Sequence, residues 1–444
     1  MKAAIKKVFR ILSLVLTALV VMIVTARVVS DYFMQRRVAN FIENMQAKGK
    51  TLDIKDFNVP CRDENNAALP WRKIESVFFL AEDESELLNS TYLKIMKKEP
   101  LSIPEKAGIR KIIANNEASF LHFSEVLSRP CFNYVHNWDV PAIEMEIPKA
   151  VKMFQMMKLT CLDMYLLAQE GQFEGLMERW RTNYTFSQKI SKEPFLISFL
   201  IGMAMARGQI ELLKMIVSPG AYDLDTYQRI INQLDPSLWR TGFLSSLESE
   251  RAIIFDCYKR MEKNDTSLFK EFYGNPVLGW LAQPILKIDF MYAMNFMDEA
   301  GDLIRKHYFE SKNEFTDLNK RIEKLSPWHV FSLMLVPNFE SAFLKEQVLE
   351  ANTMVAAAGT ACNLFYLQHG FFPENLSLLV PEFLPGIPLD PFSGRPLIYE
   401  NMGTGFKIYS VGSNMKDDIG AQTWEINQLV AEKDDDWVWE EKIK

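Results

Sequence analysis

HGFFPENLSLLVPEFLPGIPLDPFSGRPLIYENMGTGFKIYSVGSNMKDDIG, residues 369–420, is the stretch where the helical pattern of this chain ends. Proline fixes φ and lacks a backbone N–H, so a long helix cannot pass through a segment with six prolines. These are Pro373, Pro381, Pro385, Pro388, Pro391 and Pro396. The sequence therefore predicts an irregular, β-containing end behind a helical body.

Short strands are predicted within and after this stretch. Residues 396–399 and 406–410 have the apolar and aromatic character of strands, and residues 403–405 (GTG) supply a hairpin turn between them. Residues 434–440 (DDDWVWE) would place Trp437 and Trp439 on one face of a third strand. The predicted fold class is mainly α, with a small C-terminal α+β module that contains a short antiparallel sheet.

Upstream of this stretch, residues 69–368 are predicted to form one helix after another. Apolar side chains recur at three- and four-residue spacing, as at Ile74, Val77 and Phe78. The most apolar part, residues 195–206 (FLISFLIGMAMA), is too short to span a membrane, so we interpret it as a buried core helix. The predicted arrangement is an irregular array of helical hairpins.

Two segments in this region share a G-Q-apolar-E-x-L pattern, beginning at Gly171 and at Gly208. We interpret each glycine as the turn between two helices, since glycine readily adopts the left-handed conformation that ends many helices. Two copies favour an irregular array over a true tetratricopeptide-type repeat, which remains the alternative.

An apolar run near the N-terminus predicts a membrane anchor. Residues 11–26 (ILSLVLTALVVMIVTA) contain no charge, proline or glycine and lie between Arg10 and Arg27. As a helix they cover roughly 24 Å, against about 30 Å for a hydrocarbon core. Neighbouring apolar residues extend the run, and both arginines can extend their long side chains to the headgroups. The run is therefore long enough to span.

A cleaved signal peptide is the alternative, because residues 24–26 (VTA) suit cleavage before Arg27. We favour the anchor, since the run is long for a signal peptide and the helical pattern continues through residues 30–42, as a stalk would. More basic residues precede the run than follow it, which favours a cytoplasmic N-terminus. In either case the bulk of the chain is exported.

Charge is divided unevenly along the chain. The 444 residues carry 50 Lys and Arg against 57 Asp and Glu, a net charge of −7. Residues 1–37 have seven basic residues and one acidic residue, so the remainder carries −13. A hydrophobic content of 48% excludes wholesale disorder, and the acidic total argues against a nucleic-acid partner.

We predict three parts for the chain. Residues 1–37 form a cytoplasmic stub, the transmembrane anchor and the start of the stalk. Residues 38–336 form the helical domain, and residues 337–444 form a helix plus the β-module.

Five cysteines are spread along the chain: Cys61, Cys131, Cys161, Cys257 and Cys362. No CxxC pair or Cys/His cluster is present, which excludes the usual spacing of zinc ligands. Cys61 and Cys131 lie beside prolines in loop-like segments and are candidates for one disulfide in an oxidising compartment. The alternative, which we favour from sequence, is five small buried thiols.

The C-terminal motifs carry a resemblance to a known module. A helix is followed by G-F-F-P-E-N-L-x-x-L-V-P, by L-P-x-I-P-x-D-P-F-S-G-R-P-L-I-Y, by a hairpin, and by F-K-I-Y-S-V-G-S-N-x-K-D-D-I-G. This order resembles the C-terminal module of type II secretion major pseudopilins. It is more similar still to that module at the end of a functionally unassigned family of membrane-anchored bacterial envelope proteins. The resemblance implies an anchor in the bacterial inner membrane and a periplasmic body.

The N-terminus departs from the pseudopilin pattern. No pseudopilin leader is visible, the apolar run has no Glu, and a long helical region separates it from the β-module. The resemblance therefore extends to the shape of the module and to its loop, and assembly into a pseudopilus is in doubt.

In pseudopilins the loop after the Y-S-x-G strand binds calcium. The resemblance implies metal ligands at Asn414, Asp417 and Asp418, with Ser410 and Glu425 as contributors. Calcium takes about six to eight oxygen ligands, and it stabilises neighbouring carboxylates that would otherwise repel each other. The alternative, which we favour, is a solvated acidic turn, since the last 31 residues hold nine acidic and four basic residues.

No catalytic motif is present in the sequence, so no catalytic or cofactor-binding residue is predicted. Scattered groups are the only candidates. His122 and Glu125 lie three residues apart on a predicted helix and are interpreted as a surface pair. His136 and Asp139 frame the motif HNWD, and Glu144 and Glu146 alternate with apolar residues in a segment that would place both carboxylates on one side.

Two hypotheses for function follow. The favoured one is a non-enzymatic, single-pass envelope scaffold or interaction protein with a protein partner in the envelope, linked to secretion or pseudopilus-like assemblies. The alternative is an exported hydrolase whose site is built from His136, Asp139, Glu144 and Glu146. A shared cleft for these four side chains would favour the hydrolase.

Overall fold

The computed structural model describes residues 2–134, 136–263, 274–420 and 437–442. The protein is mainly helical, with an N-terminal apolar helix and a small C-terminal antiparallel sheet, as predicted. The helices are α1 (Lys2–Ala47), α2 (Ala68–Val77), α3 (Glu82–Met96), α4 (Ile103–Asn115), α5 (Glu117–Ser128), α6 (Ala150–Gln169), α7 (Leu176–Ile190), α8 (Leu196–Ile216), α9 (Leu224–Gln233), α10 (Ser237–Glu262), α11 (Pro276–Ile304), α12 (Tyr308–Glu323), α13 (Val330–Met334) and α14 (Phe339–His369). The strands are β1 (Ile398–Asn401), β2 (Gly405–Ser410) and β3 (Trp437–Lys442).

Helix α1 has two distinct halves. Its first half exposes nearly every apolar side chain. In its second half, Met34, Val38, Phe41 and Met45 pack against the core, with the Phe41 ring 6.3 Å from that of Phe290 on α11. This spacing places all four on one helix face. The continuous helix confirms the predicted pattern, but the predicted stalk is wrong in one respect, because this half is a core element of the domain.

Helices α8 and α14 form the centre of the body. Within the described residues, α1 and α8 are long and apolar enough to cross a membrane. The apolar window of α8 is 78% buried inside the protein, so α8 is the core helix that the sequence predicts. Helix α14 packs against α8, α9 and α10 on one side and against the sheet on the other. The predicted boundary at residues 336/337 lies just before α14, which contacts both parts.

Gly171 and Gly208, which begin the shared pattern, have different structural roles. Gly171 has a φ of +72° and follows α6, so it forms the predicted turn. Gly208 lies inside α8 without a break, and the prediction of a second turn is wrong. A Cβ at Gly208 would come within 2.8 Å of Met157 Sδ and Tyr92 Oη. Glycine is needed there for close helix packing.

The three strands form one sheet in the order β1-β2-β3, and both pairs are antiparallel. Trp437 and Trp439 of β3 are buried, as expected from their alternation. The predicted residues 434–436 lie outside the described residues. On α8, the Lys214 ammonium donates to Glu211 (3.0 Å), to Asn352 of α14 (3.3 Å) and to the Val438 carbonyl of β3 (3.2 Å). This lysine ties the sheet to the helical body.

Asp390 in the L-P-x-I-P-x-D-P motif organises the irregular segment before β1. Its buried carboxylate accepts hydrogen bonds from the Ser410 hydroxyl (2.8 Å) and from the backbone N–H groups of Val411 (3.0 Å) and Phe392 (3.0 Å). The motif therefore has a structural role that positions the end of β2.

Gly359 on α14 should tolerate no side chain. A Cβ there would overlap the indole of Trp439, so Gly359→Ala is expected to lower the free energy of unfolding by about 1–3 kcal/mol. The matched control is Gly386→Ala, where no heavy atom lies within 4 Å of the added Cβ. A urea titration of the full chain in detergent measures both. Equal midpoints for the two variants would contradict the packing of β3 on α14.

Candidate functional site

Three of the four candidate catalytic residues lie at the surface and do not converge. The Asp139 side chain is 89% exposed and pairs with Lys55 at 3.0 Å. Glu146 pairs with Arg72 at 3.1 Å, also in solvent. Glu144 ends a short 3-10 turn and is exposed. The surface pair of His122 and Glu125, at 3.8 Å, is likewise partly exposed, as the sequence indicates.

His136 is separated from the other candidates by burial. Its Nε2 lies 2.7 Å from Glu193 Oε2, and both side chains are at most 3% exposed. Its Nδ1 lies 2.9 Å from the Glu146 carbonyl, an acceptor, so Nδ1 carries a proton. Nε2 and Glu193 Oε2 are within hydrogen-bond distance, so both ring nitrogens have partners. The ring is enclosed by aromatic side chains, with Phe195 at 5.0 Å between centroids.

Glu75 continues this buried network and was not singled out from sequence. It accepts hydrogen bonds from Trp71 Nε1 (2.9 Å), the Lys149 backbone N–H (2.9 Å) and the Tyr134 hydroxyl (2.8 Å). Burial and the hydrogen bond to Glu75 raise the pKa of Tyr134 well above its usual value. Tyr134 therefore remains a neutral donor.

The network holds the irregular segment between α5 and α6 against the helical body. Its carboxylates are already occupied by protein donors, which leaves no oxygen directed at a substrate. Among the described residues, clefts of about 160, 300 and 360 Å³ lie elsewhere, and none of these is lined by any of the four candidate residues. The residues proposed for a hydrolase thus form no common site.

No sequence pattern predicts that His136 pairs with Glu193, which lies 57 positions further along the chain.

A disulfide joins Cys61 and Cys131, so the favoured interpretation of five free thiols is wrong. Cys161, Cys257 and Cys362 are buried, as that interpretation expected. The bridge lies where two segments already meet, since Ala67 N–H donates to the Cys131 carbonyl at 2.8 Å. It fastens the start of α2 to the segment that follows α5.

The C-terminal loop brings Asn414 and Asp418 together. Asn414 Nδ2 donates to Asp418 Oδ2 at 2.7 Å. Asp417 is turned aside, because its Oδ1 accepts from the Tyr409 hydroxyl (3.0 Å) and from the Ile419 backbone N–H (2.9 Å). The buried Ser410 hydroxyl already has two partners, since it donates to Asp390 and accepts from the Gly412 backbone N–H. The other expected contributor, Glu425, lies outside the described residues.

Two lysines donate to backbone carbonyls of this loop. Lys407 Nζ binds the Ile419 carbonyl, and Lys312 Nζ binds the Ser413 carbonyl at 3.0 Å. Carbonyls are ligands that calcium takes together with carboxylates, so ammonium groups already occupy part of the donor set. Within the described ranges, no group of three His, Cys, Asp or Glu side chains is placed to hold a metal. This geometry supports an acidic turn, and calcium binding at Asn414, Asp417 and Asp418 stays a prediction.

An ion cluster lies where α1 leaves the body of the protein. Arg27 Nη1 pairs with Asp31 at 3.2 Å, and Asp31 pairs with Lys287 of α11 at 2.6 Å. Arg27 also donates to the Trp280 carbonyl at 3.2 Å and stacks over the Trp280 ring at 4.5 Å. The Arg27 side chain is only 13% exposed. Arg27 therefore faces α11 and does not extend toward headgroups, contrary to the sequence interpretation.

Comparison of the chain with protein-family models, with characterised proteins and with solved structures finds no match.

Proposed function

We propose that this protein is a single-pass scaffold or interaction protein of the bacterial cell envelope. Helix α1 anchors it in the inner membrane, with the N-terminus in the cytoplasm and the helical body in the periplasm. The observation that carries the proposal is α1 itself. One uninterrupted helix has an exposed half with an uncharged run at residues 11–26 and a second half that packs one face against the domain core. A cleaved signal peptide would not share a helix with the core.

The disulfide and the charge distribution support this orientation. Disulfides persist in oxidising compartments such as the periplasm, and Cys61–Cys131 is one. Arg27, Arg36 and Arg37 follow the apolar run, and Asp31 pairs with both Arg27 and Lys287. Four basic residues precede the run, so the positive-inside bias favours a cytoplasmic N-terminus.

The scaffold role is supported by what the candidate residues do. His136 and Glu193 are structural, and Asp139, Glu144 and Glu146 are separate surface groups. The pseudopilin-like module is proposed to contact a protein partner in the envelope, in a secretion or pseudopilus-like assembly. Its resemblance to secretion components supports this proposal.

Topology can be tested in bacterial cells with the full chain. A C-terminal reporter enzyme that is active only in an oxidising compartment is expected to be active, and a reporter that folds only in the cytoplasm is expected to be silent. The intact mass should include residues 1–26. Replacing Lys2, Lys6, Lys7 and Arg10 with Glu should reduce the active fraction, because it removes the charge bias. A mature chain that begins at Arg27 would contradict the anchor.

The calcium prediction has its own measurement. Because Lys407 and Lys312 already bind loop carbonyls, we expect calorimetric titration of the full chain with calcium to give no saturable heat. The matched control is the Asp417→Ala/Asp418→Ala variant, which should give an identical trace. A saturable heat in the natural chain that is lost in the variant would establish the calcium loop that the resemblance implies.

A further inference from the structure

The first half of α11 has an unusual exposed face. Between residues 277 and 288 every exposed side chain is apolar: Val277 (64%), Leu278 (44%), Leu281 (37%), Ile285 (37%) and Ile288 (46%). At about 100° per residue these five lie within about 100° of one helix face. The only charged residue in this segment, Lys287, is buried against Asp31. A helix exposed to water normally carries charged and polar residues on its outer face, and residues 277–288 of α11 carry none there.

This face lies beside the membrane end of α1. Trp280 contacts Arg27, Lys287 contacts Asp31, and Phe290 contacts Phe41. The three contacts progress in the same direction along both helices, so α1 and α11 run parallel. The apolar face of α11 is therefore level with residues 24–33 of α1.

The same part of α1 is also apolar on its outer side. Val28 and Val29 are half-exposed, and the Tyr32 and Phe33 rings are more than half-exposed. Aromatic side chains are enriched at membrane interfaces. The exposed apolar surface of α1 thus does not end at Arg27 but continues to Phe33, just before Arg36 and Arg37.

The ion cluster explains how a charge is tolerated within this surface. Arg27, Asp31 and Lys287 satisfy one another in the contact between α1 and α11, and their side chains are at most 21% exposed. Charged groups at membrane depth are paired and directed into the protein, as these are. Residues 11–33 then cover about 35 Å, enough to cross a hydrocarbon core of about 30 Å, whereas residues 11–26 alone fall short of it.

We infer that the face of α11 formed by Val277, Leu278, Leu281, Ile285 and Ile288 is embedded in the lipid bilayer beside α1, in the leaflet opposite the N-terminus. The occupant of this face is lipid acyl chain. The body is thereby held against the membrane surface by two parallel helices, and α1 does not act as a flexible tether. This inference rests on the proposed anchoring of α1. It adds the apolar face of α11 as a second membrane contact.

Spin labels on the full chain in phosphatidylethanolamine/phosphatidylglycerol vesicles test this. One nitroxide is placed at Ile285→Cys, and the measured quantities are its collision rates with oxygen, which concentrates in lipid, and with a nickel chelate, which stays in water. Cys161, Cys257 and Cys362 are buried and should not react with the label. We expect the oxygen-to-nickel ratio at residue 285 to be severalfold higher than at Leu121→Cys, an exposed apolar position on α5.

A third label at Val20→Cys separates the two proposals. If residue 20 is in lipid and residue 285 collides freely with nickel, the anchor stands and the inference about α11 is wrong. If residue 20 also collides with nickel, the anchor itself is wrong. Low collision rates with both reagents at residue 285 would mean that a second copy or another protein covers the face, which also overturns the inference.

Discussion

Replacing Glu193 with alanine is expected to lower the free energy of unfolding by about 3–5 kcal/mol. Glu193 is the buried partner of His136, at 2.7 Å, and it also accepts from the Tyr134 backbone N–H at 3.3 Å. Without the carboxylate, the imidazole Nε2 and the Tyr134 N–H group lose their partner while they remain buried, which is the costly way to break a buried pair. A urea titration of the full chain in detergent, followed by tryptophan fluorescence, measures the loss.

Two controls distinguish a structural pair from a reactive one. Asp139→Ala removes an exposed ion pair and should change stability by less than about 1 kcal/mol. The double variant His136→Phe/Glu193→Leu replaces both partners with apolar groups and should recover most of the stability that Glu193→Ala loses. If the double variant is as unstable as Glu193→Ala, apolar side chains cannot replace the His136–Glu193 pair.

The local parts of the fold could be predicted from the sequence. Residues 396–399 and 406–410 anticipated β1 and β2 because short strands and a glycine turn depend on neighbouring residues. The placement of Trp437 and Trp439 on one face of β3 followed from alternation alone. The extension of α1 beyond residue 26 followed from spacing. In each case the physical cause lies within about ten residues of its effect.

The remaining features depend on contacts between distant segments. Gly208 looked like Gly171, but its role is decided by Tyr92 and Met157 on other helices. The sequence predicted that the Arg27 side chain extends to the lipid headgroups. In the structure it binds Trp280 of α11 and shares Asp31 with Lys287 of the same helix. No local pattern carries this information.

The sequence named the Cys61–Cys131 disulfide as a candidate but did not favour it, for a different reason. An odd number of cysteines does not determine which two, if any, are paired. Cys61 and Cys131 are separated by 70 positions, and only the meeting of the segments around Ala67 and Cys131 shows that they are neighbours.

Removing this disulfide is the second large effect expected. The Cys61→Ser/Cys131→Ser variant should lose about 2–5 kcal/mol of unfolding free energy, and a loop of this length corresponds to about 4 kcal/mol in the chain-entropy model. Both cysteines are partly exposed, so dithiothreitol should bring the natural chain down to the stability of the variant. The variant itself should not respond to dithiothreitol. Equal midpoints for the natural chain and the variant without reductant would contradict the bridge.

The same bond couples stability to topology, because thiols stay reduced in the cytoplasm. Trapping of free thiols in intact cells, before any reduction, should leave Cys61 and Cys131 unmodified. When glutamates at Lys2, Lys6, Lys7 and Arg10 retain the body in the cytoplasm, both cysteines should become modified, and the retained chains should lose the same 2–5 kcal/mol as the serine variant. Retained chains that keep the disulfide would show that its formation does not report export, and the orientation would then depend on the reporter enzymes alone.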